Sequence, residues 1–103
     1  MGASGSVQFS TQDVVSVGTD TGVVLAANPR RLYVALKNTS EQQVSLKLGA
    51  DAVEGEGIVL DPGEAFEMSE LAGNLDVRVI NGINDGVSAV NIARVEAVAV
   101  DPV

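Results

Sequence analysis

The sequence predicts an all-β fold, a single antiparallel β-sandwich of about eight strands with a jelly-roll-like layout, and three observations carry that prediction. Short apolar runs rich in Val, Ile and Leu recur from Val7 onward, separated by turn residues at intervals of roughly 8–12 residues, the spacing of a sandwich or barrel. Within several runs, apolar and polar residues alternate with a period of two, which puts one strand face in a core and the other in water. Between the runs stand Asn-Pro, Asp-Pro-Gly, Asn-Gly and Asp-Gly, which favour turns.

In chain order, Val14 to Val17 and Gly22 to Ala26 flank Gly18-Thr19-Asp20-Thr21 and predict a first hairpin. The clearest strand is Arg31-Leu32-Tyr33-Val34-Ala35-Leu36-Lys37. Its Leu32, Val34 and Leu36 share the inward face, Tyr33 lies on the opposite one, Asn28-Pro29 opens it and Asn38-Thr39-Ser40 closes it. In the next run Val44, Leu46 and Leu48 point inward, Ser45 and Lys47 face out, and Gly49 ends the element, so the two runs look like a second hairpin. Ile58 and Leu60 lead into Asp61-Pro62-Gly63, where proline presets φ for a turn and glycine tolerates the left-handed position after it. Phe66 and Met68 alternate with Glu67. Leu75, Val77 and Val79 alternate with Asp76 and Arg78 ahead of Asn81-Gly82 and Asp85-Gly86, both of turn-forming type. The stretch Val87 to Val100 is too long for one plain strand. Its apolar parity changes between Val90-Ile92 and Ala93-Val95-Ala97-Ala99, as a bulge or a strand passing between two sheets requires. Helical periodicity is weak and limited to single turns near 68–71 and 49–55.

At 103 residues the chain suits one domain with one modest core. Phe9, Tyr33 and Phe66 are its only aromatics, so the core is expected to be thin and aliphatic, with self-association as a natural supplement. Residues 1–6, all glycine or small apart from Met1, read as a flexible N-terminal arm, and residues 7–103 as the sandwich domain. The arm, through about Phe9, is the candidate to order against a neighbour as a strand added to a sheet edge. A net charge of −8 repels phosphate backbones and anionic bilayers, so neither nucleic acid nor membrane is an expected partner. No apolar stretch nears the roughly 20 residues that span a bilayer, and the N-terminus lacks the basic and apolar regions of a signal peptide. Synthesis in the cytoplasm is therefore expected.

With no histidine and no cysteine, the common nucleophile–base pairs, thiolate metal sites and disulfides are excluded, and no enzymatic activity and no cofactor are expected. Two groups of acids, Asp51, Glu54 and Glu56, and Glu64, Glu67 and Glu70, border turns or alternate outward. They read as solvated surface rather than as the facing carboxylates of a glycosidase. Asn81, Asn84 and Asp85 supply oxygen donors of the kind calcium takes, near glycines that permit a tight loop, but turn chemistry accounts for them and the calcium-loop pattern is a poor match. Gly55-Glu56-Gly57 lacks the helix and lysine of a phosphate cradle. The doublet Arg30-Arg31 is expected to satisfy a carboxylate or carbonyl at a strand start.

The segment from Leu25 to Ser40 runs through an Ala-Asn-Pro turn and an arginine into an alternating strand that ends in Asn and Ser. It resembles a pattern of small structural proteins of tailed bacteriophages, and Val44 to Gly49, Ala52-Val53 and Gly57 to Leu60 continue it. The resemblance covers about positions 14 to 68. It implies a β-sandwich module of the virion that decorates or cements the outer capsid surface, forms a head fibre or serves as a tail accessory, commonly as a homotrimer bound to the major capsid protein. It brings no catalytic residues. The alternative expectation is a carbohydrate- or receptor-binding module of a tail or fibre, for which Tyr33 is the aromatic platform.

Overall fold

The structure is a computed structural model in which residues 7–100 are described. Its eight strands are β1 (Val7–Val17), β2 (Gly22–Leu25), β3 (Arg31–Lys37), β4 (Val44–Leu48), β5 (Ile58–Leu60), β6 (Ala65–Ser69), β7 (Ile80–Asn84) and β8 (Val90–Ala99). They form two four-stranded antiparallel sheets, β1-β8-β3-β6 (sheet A) and β2-β7-β4-β5 (sheet B). No helix occurs among the described residues.

Sheet A contributes Val17, Val34, Leu36, Met68 and Ile92 to the space between the sheets, and sheet B contributes Val24, Leu25, Val44, Leu46, Leu60 and Ile80. This core is aliphatic plus one methionine; Phe66 only packs against it from a half-buried position.

Pairing obeys one rule: β1 with β8, β2 with β7, β3 with β6 and β4 with β5, as in a long antiparallel hairpin rolled up on itself. The contacts β3–β8 and β4–β7 then close the two sheets. Both expected hairpins are overturned by this arrangement. β1 and β2 lie in different sheets, as do β3 and β4, and among the described strands only β4–β5 joins neighbours in sequence. Alternation shows which face of a strand is inward and leaves open which strand lies beside it.

Two further expectations change. Leu75 to Val79 is not a strand, although Leu75 packs on the core; its carbonyls are taken one at a time, Val77 by the Asn28 amide and Val79 by the Gly49 amide. The strand is β7, immediately downstream, and Asn81-Gly82 sits inside it rather than at a turn. Gly82 faces the core, where a Cβ would come within 2.6 Å of Val24 Cγ2, so glycine is required there for lack of space. By contrast, Asp61-Pro62-Gly63-Glu64 is the expected turn: the Glu64 amide donates to the Asp61 carbonyl at 2.9 Å and Gly63 takes φ 86°, a type II geometry.

The parity change in the last strand also resolves differently. β8 is continuous, and the extra residues belong to its neighbours, Ser10 in β1 and Leu32 in β3. The β3 bulge gives the inward position to Arg31, so Leu32, expected beside Val34 and Leu36, is only half-buried. Residues 1–6 of the expected arm lie outside the described residues. Val7, Gln8 and Phe9 are paired with Ala99, Val98 and Ala97 of β8, so that part of the expected arm belongs to the chain's own sheet.

Candidate functional site

The residue types that carry chemistry are widely scattered. Asp51, Glu54, Glu56, Glu64, Glu67 and Glu70 are all exposed. Asn84, fully buried at the end of β7, donates Nδ2 to the carbonyls of Val17 and Ser88 and accepts the Gly86 amide on Oδ1. Asn81, three residues earlier on the opposite face, donates to the Ala50 carbonyl, and Asp85 accepts the Gln43 amide. The three side chains considered for calcium are thus each engaged with different backbone groups, and no group of three or more His, Asp, Glu or Cys side chains suited to a metal occurs among the described residues.

Arg31 behaves as expected of a strand-start arginine, with more partners than the sequence suggests. Its Nε donates to Glu96 Oε2 at 2.7 Å, Nη1 to the Asp76 and Arg78 carbonyls, each at 2.8 Å, and Nη2 to the Ala26 carbonyl at 2.6 Å. Both side chains of the ion pair are buried, and the guanidinium ties the ends of β2, β3 and β8 to the segment ahead of β7. Asn38, equally buried, donates to the Leu60 and Gln42 carbonyls and accepts from Ser40. Asn28 accepts the Arg30 amide on Oδ1 and the Arg31 amide on its carbonyl. The Asn, Arg and Asn-Ser positions that carry the resemblance therefore lock the fold.

Near this clamp, Arg78 holds Asp76. Its side-chain hydrogen bonds first, and its backbone amide second, pull the Asp76 carboxyl down to about 2. The folded value lies below the unfolded one near 3.8, so the pair stabilises the fold above about pH 4, and that contribution is lost as the pH falls through about 2. Asp76→Asn is therefore expected to be less stable than the parent at neutral pH and to converge with it toward pH 2. Urea midpoints between pH 2 and 6 check this, and a stability gap that ignores pH would show that the carboxylate charge is immaterial.

The two outer faces of the sandwich differ. On sheet B, the connection 49–57 folds back over the strands: the Gly55 amide donates to Ser45 Oγ at 2.9 Å, Asn81 reaches the Ala50 carbonyl, and Lys47 pairs with Glu56 at 3.3 Å. Ser45, an outward residue, is consequently only 2% exposed.

The outer face of sheet A stays open. Register places Phe9, Ala97, Tyr33 and Ser69 in one row across its four strands, Gln12, Val95, Ala35 and Glu67 in the next, and Val14, Ala93, Lys37 and Ala65 in a third. Phe9 is 55% and Val14 58% exposed, and Tyr33, Ala35, Ala93 and Val95 are half-buried. The Tyr33 hydroxyl donates to Glu67, and that bond to a carboxylate raises the tyrosine above its ordinary value. At the margin of sheet A, Asp13 accepts from Arg94 Nε at 2.7 Å, which lowers the aspartate.

Alternation alone places Tyr33 on this face, whereas nothing within β1 singles out Phe9 and Val14. A signal for them exists in β8, whose outward positions Ala93, Val95, Ala97 and Ala99 are all apolar, whereas its inward ones include Arg94 and Glu96. An outward strand face this apolar points to something packed, or able to pack, on it.

Comparison with protein families, with curated proteins and with solved structures gave no match for this chain.

Proposed function

We propose that the chain is a non-enzymatic structural protein of a tailed-bacteriophage particle, made in the host cytoplasm, that decorates or cements the outer capsid surface as a homo-oligomer. The observation that carries this reading is the open, largely apolar outer face of sheet A in a molecule whose other outer face is partly covered by its own loop. Exposed apolar residues grouped on one face in this way are a feature of interaction sites. The rolled-hairpin strand order, which we read as a jelly roll, gives support by analogy of architecture, because viral capsid and lectin domains use that double-sheet layout. The Leu25 to Ser40 resemblance supports it in the same sense.

The mechanism is stabilisation by added interface. A protein that binds only the assembled lattice of the major capsid protein shifts the equilibrium toward assembly. The trimer is the oligomer the resemblance favours. Co-sedimentation with capsids stripped of accessory proteins tests the reading: saturable binding at hundreds of copies per particle is expected, and protein left in the supernatant at every concentration would refute it. Deleting residues 1–6, rather than 1–9, probes the arm without cutting into β1.

A second reading has one observation in its favour. Phe9 and Tyr33 flank Ala97 in a single row, which sets two aromatic residues roughly 10 Å apart on an exposed sheet, a spacing suited to a sugar ring. Binding on a glycan array that is lost in Tyr33→Ala would favour a carbohydrate-binding tail or fibre module over decoration.

A further inference from the structure

The four sheet edges of this sandwich are unequal. β2 has four residues, β5 three and β6 five, lengths at which an edge offers little to a passing strand. β1 has eleven, VQFSTQDVVSV, and among the described residues it pairs on one side only, with β8. Its protections are few for so long an edge: it has no proline and no lysine, only a single bulge at Ser10 and one charge, Asp13. From Thr11 to Val17 it is regular, with seven consecutive residues in register against β8. Its one charge, Asp13, is neutralised within the chain by Arg94. In a chain of net charge −8, this edge is thus a long stretch of backbone that a second acidic copy can approach without meeting an unpaired like charge.

We infer that β1 pairs with β1 of a second copy, antiparallel about a twofold axis at Val14, so that two A sheets become one eight-stranded sheet. In that register Val14 faces Val14 of the second copy, Gln12 faces Ser16, Asp13 faces Val15 and Thr11 faces Val17. The outer face then carries a valine pair between two Gln–Ser pairs, and no charges of like sign lie directly opposite. The paired segment is roughly 24 Å long. The open outer faces of both copies become one continuous surface. The contact is isologous and closes at two copies, so it gives a dimer, or an even-numbered assembly if other contacts add to it.

This inference rests on the self-association in the functional reading and is independent of the capsid. Light scattering of the purified chain is expected to return about 21 kDa (2 × 10.5 kDa). Val14→Lys sets two lysines face to face and is expected to weaken the dimer roughly tenfold or more. The control is Val23→Lys on β2 of the other sheet, a position that is 57% exposed against 58% for Val14, and it is expected to leave the dimer intact. Circular dichroism and urea midpoints of both variants separate lost association from lost folding.

Because the chain has no cysteine, Val14→Cys supplies a second, independent readout. Facing residues of an antiparallel pair come within disulfide reach, so mild oxidation is expected to give a crosslinked dimer from Val14→Cys and none from Val23→Cys. A monomer at all concentrations overturns the pairing and the self-association together. A trimer whose mass is unchanged by Val14→Lys, or crosslinking no better at position 14 than at 23, overturns the β1 contact and leaves the decoration reading standing.

Discussion

Replacing Arg31 by alanine is expected to cost about 3–5 kcal/mol of folding stability, a large fraction of the roughly 5–15 kcal/mol available to a domain of this kind. The magnitude comes from the groups left behind. Glu96, with 6% of its side chain exposed, loses the guanidinium 2.7 Å away and keeps only a long contact to Ser10 at 3.4 Å. The carbonyls of Ala26, Asp76 and Arg78 lose their donor as well. Unsatisfied buried groups cost far more than the net worth of the bonds that once satisfied them.

The same logic sets the sign of the double variant. Arg31→Met with Glu96→Leu removes both charges and refills part of the volume, so it is expected to recover a good part of the loss, although the three carbonyls stay unpaired. Urea denaturation of the two single variants and the double one measures the coupling. A loss below about 1 kcal/mol for Arg31→Ala would mean that water or a shifted side chain replaces the clamp, and the account of this corner would fail. An additive double variant would fail it too, because partners in contact are expected to couple.

How much of the fold is legible in the sequence depends on the range of each interaction. Strands β3 to β6 can be placed because alternation is a local property: Val34 and Leu36, Val44 and Leu46, and Met68 all face inward as read. Pairing is not legible. An apolar–turn–apolar pattern such as Val14 to Ala26 looks the same whether its turn returns a chain to its own sheet or carries it across the core, and here it crosses. β7 is displaced from its expected place because two alternating stretches abut at Val79-Ile80, and the one that forms a strand is distinguished by partners β2 and β4, distant in sequence. Asn81-Gly82 misleads for a related reason: a glycine that yields space to Val24 carries the same letter as one that turns the chain.

The candidate site divides in the same way. Tyr33 is readable as outward, and Arg31 as a residue in need of acceptors. The identity of those acceptors, drawn from positions 26, 76, 78 and 96, is not, because nearly all of them depend on long-range contacts. Phe9 shares a row with Tyr33 only because Ser10 bulges, and no local pattern marks that bulge. The contrast between a covered and an open outer face depends on where one connection folds back.

That connection gives the second large effect. Gly57 stands one residue before β5 with φ 75°, and a Cβ there would land on the Leu46 carbonyl oxygen, part of the rigid backbone of β4. Gly57→Ala is expected to cost about 2–3 kcal/mol, combining left-handed strain in a residue with a Cβ and displacement of backbone that cannot yield as a side chain would. Gly55 is the internal control. It has nearly the same φ, 76°, with nothing within 4 Å of the added atom, so Gly55→Ala carries only the conformational part, about 1–2 kcal/mol. The difference between the two variants isolates the close approach of the loop to β4, and equal losses would show that the approach imposes no constraint. The location of the damage can also be read. If Gly57 holds connection 49–57 down on sheet B, its replacement should speed hydrogen exchange at the Gly55 amide, which donates to Ser45, while amides of β3 and β8 in sheet A keep their protection. Sheet B would then begin to expose the outer face its loop normally covers, and the difference between the two faces, on which the docking assignment to sheet A rests, would shrink with it.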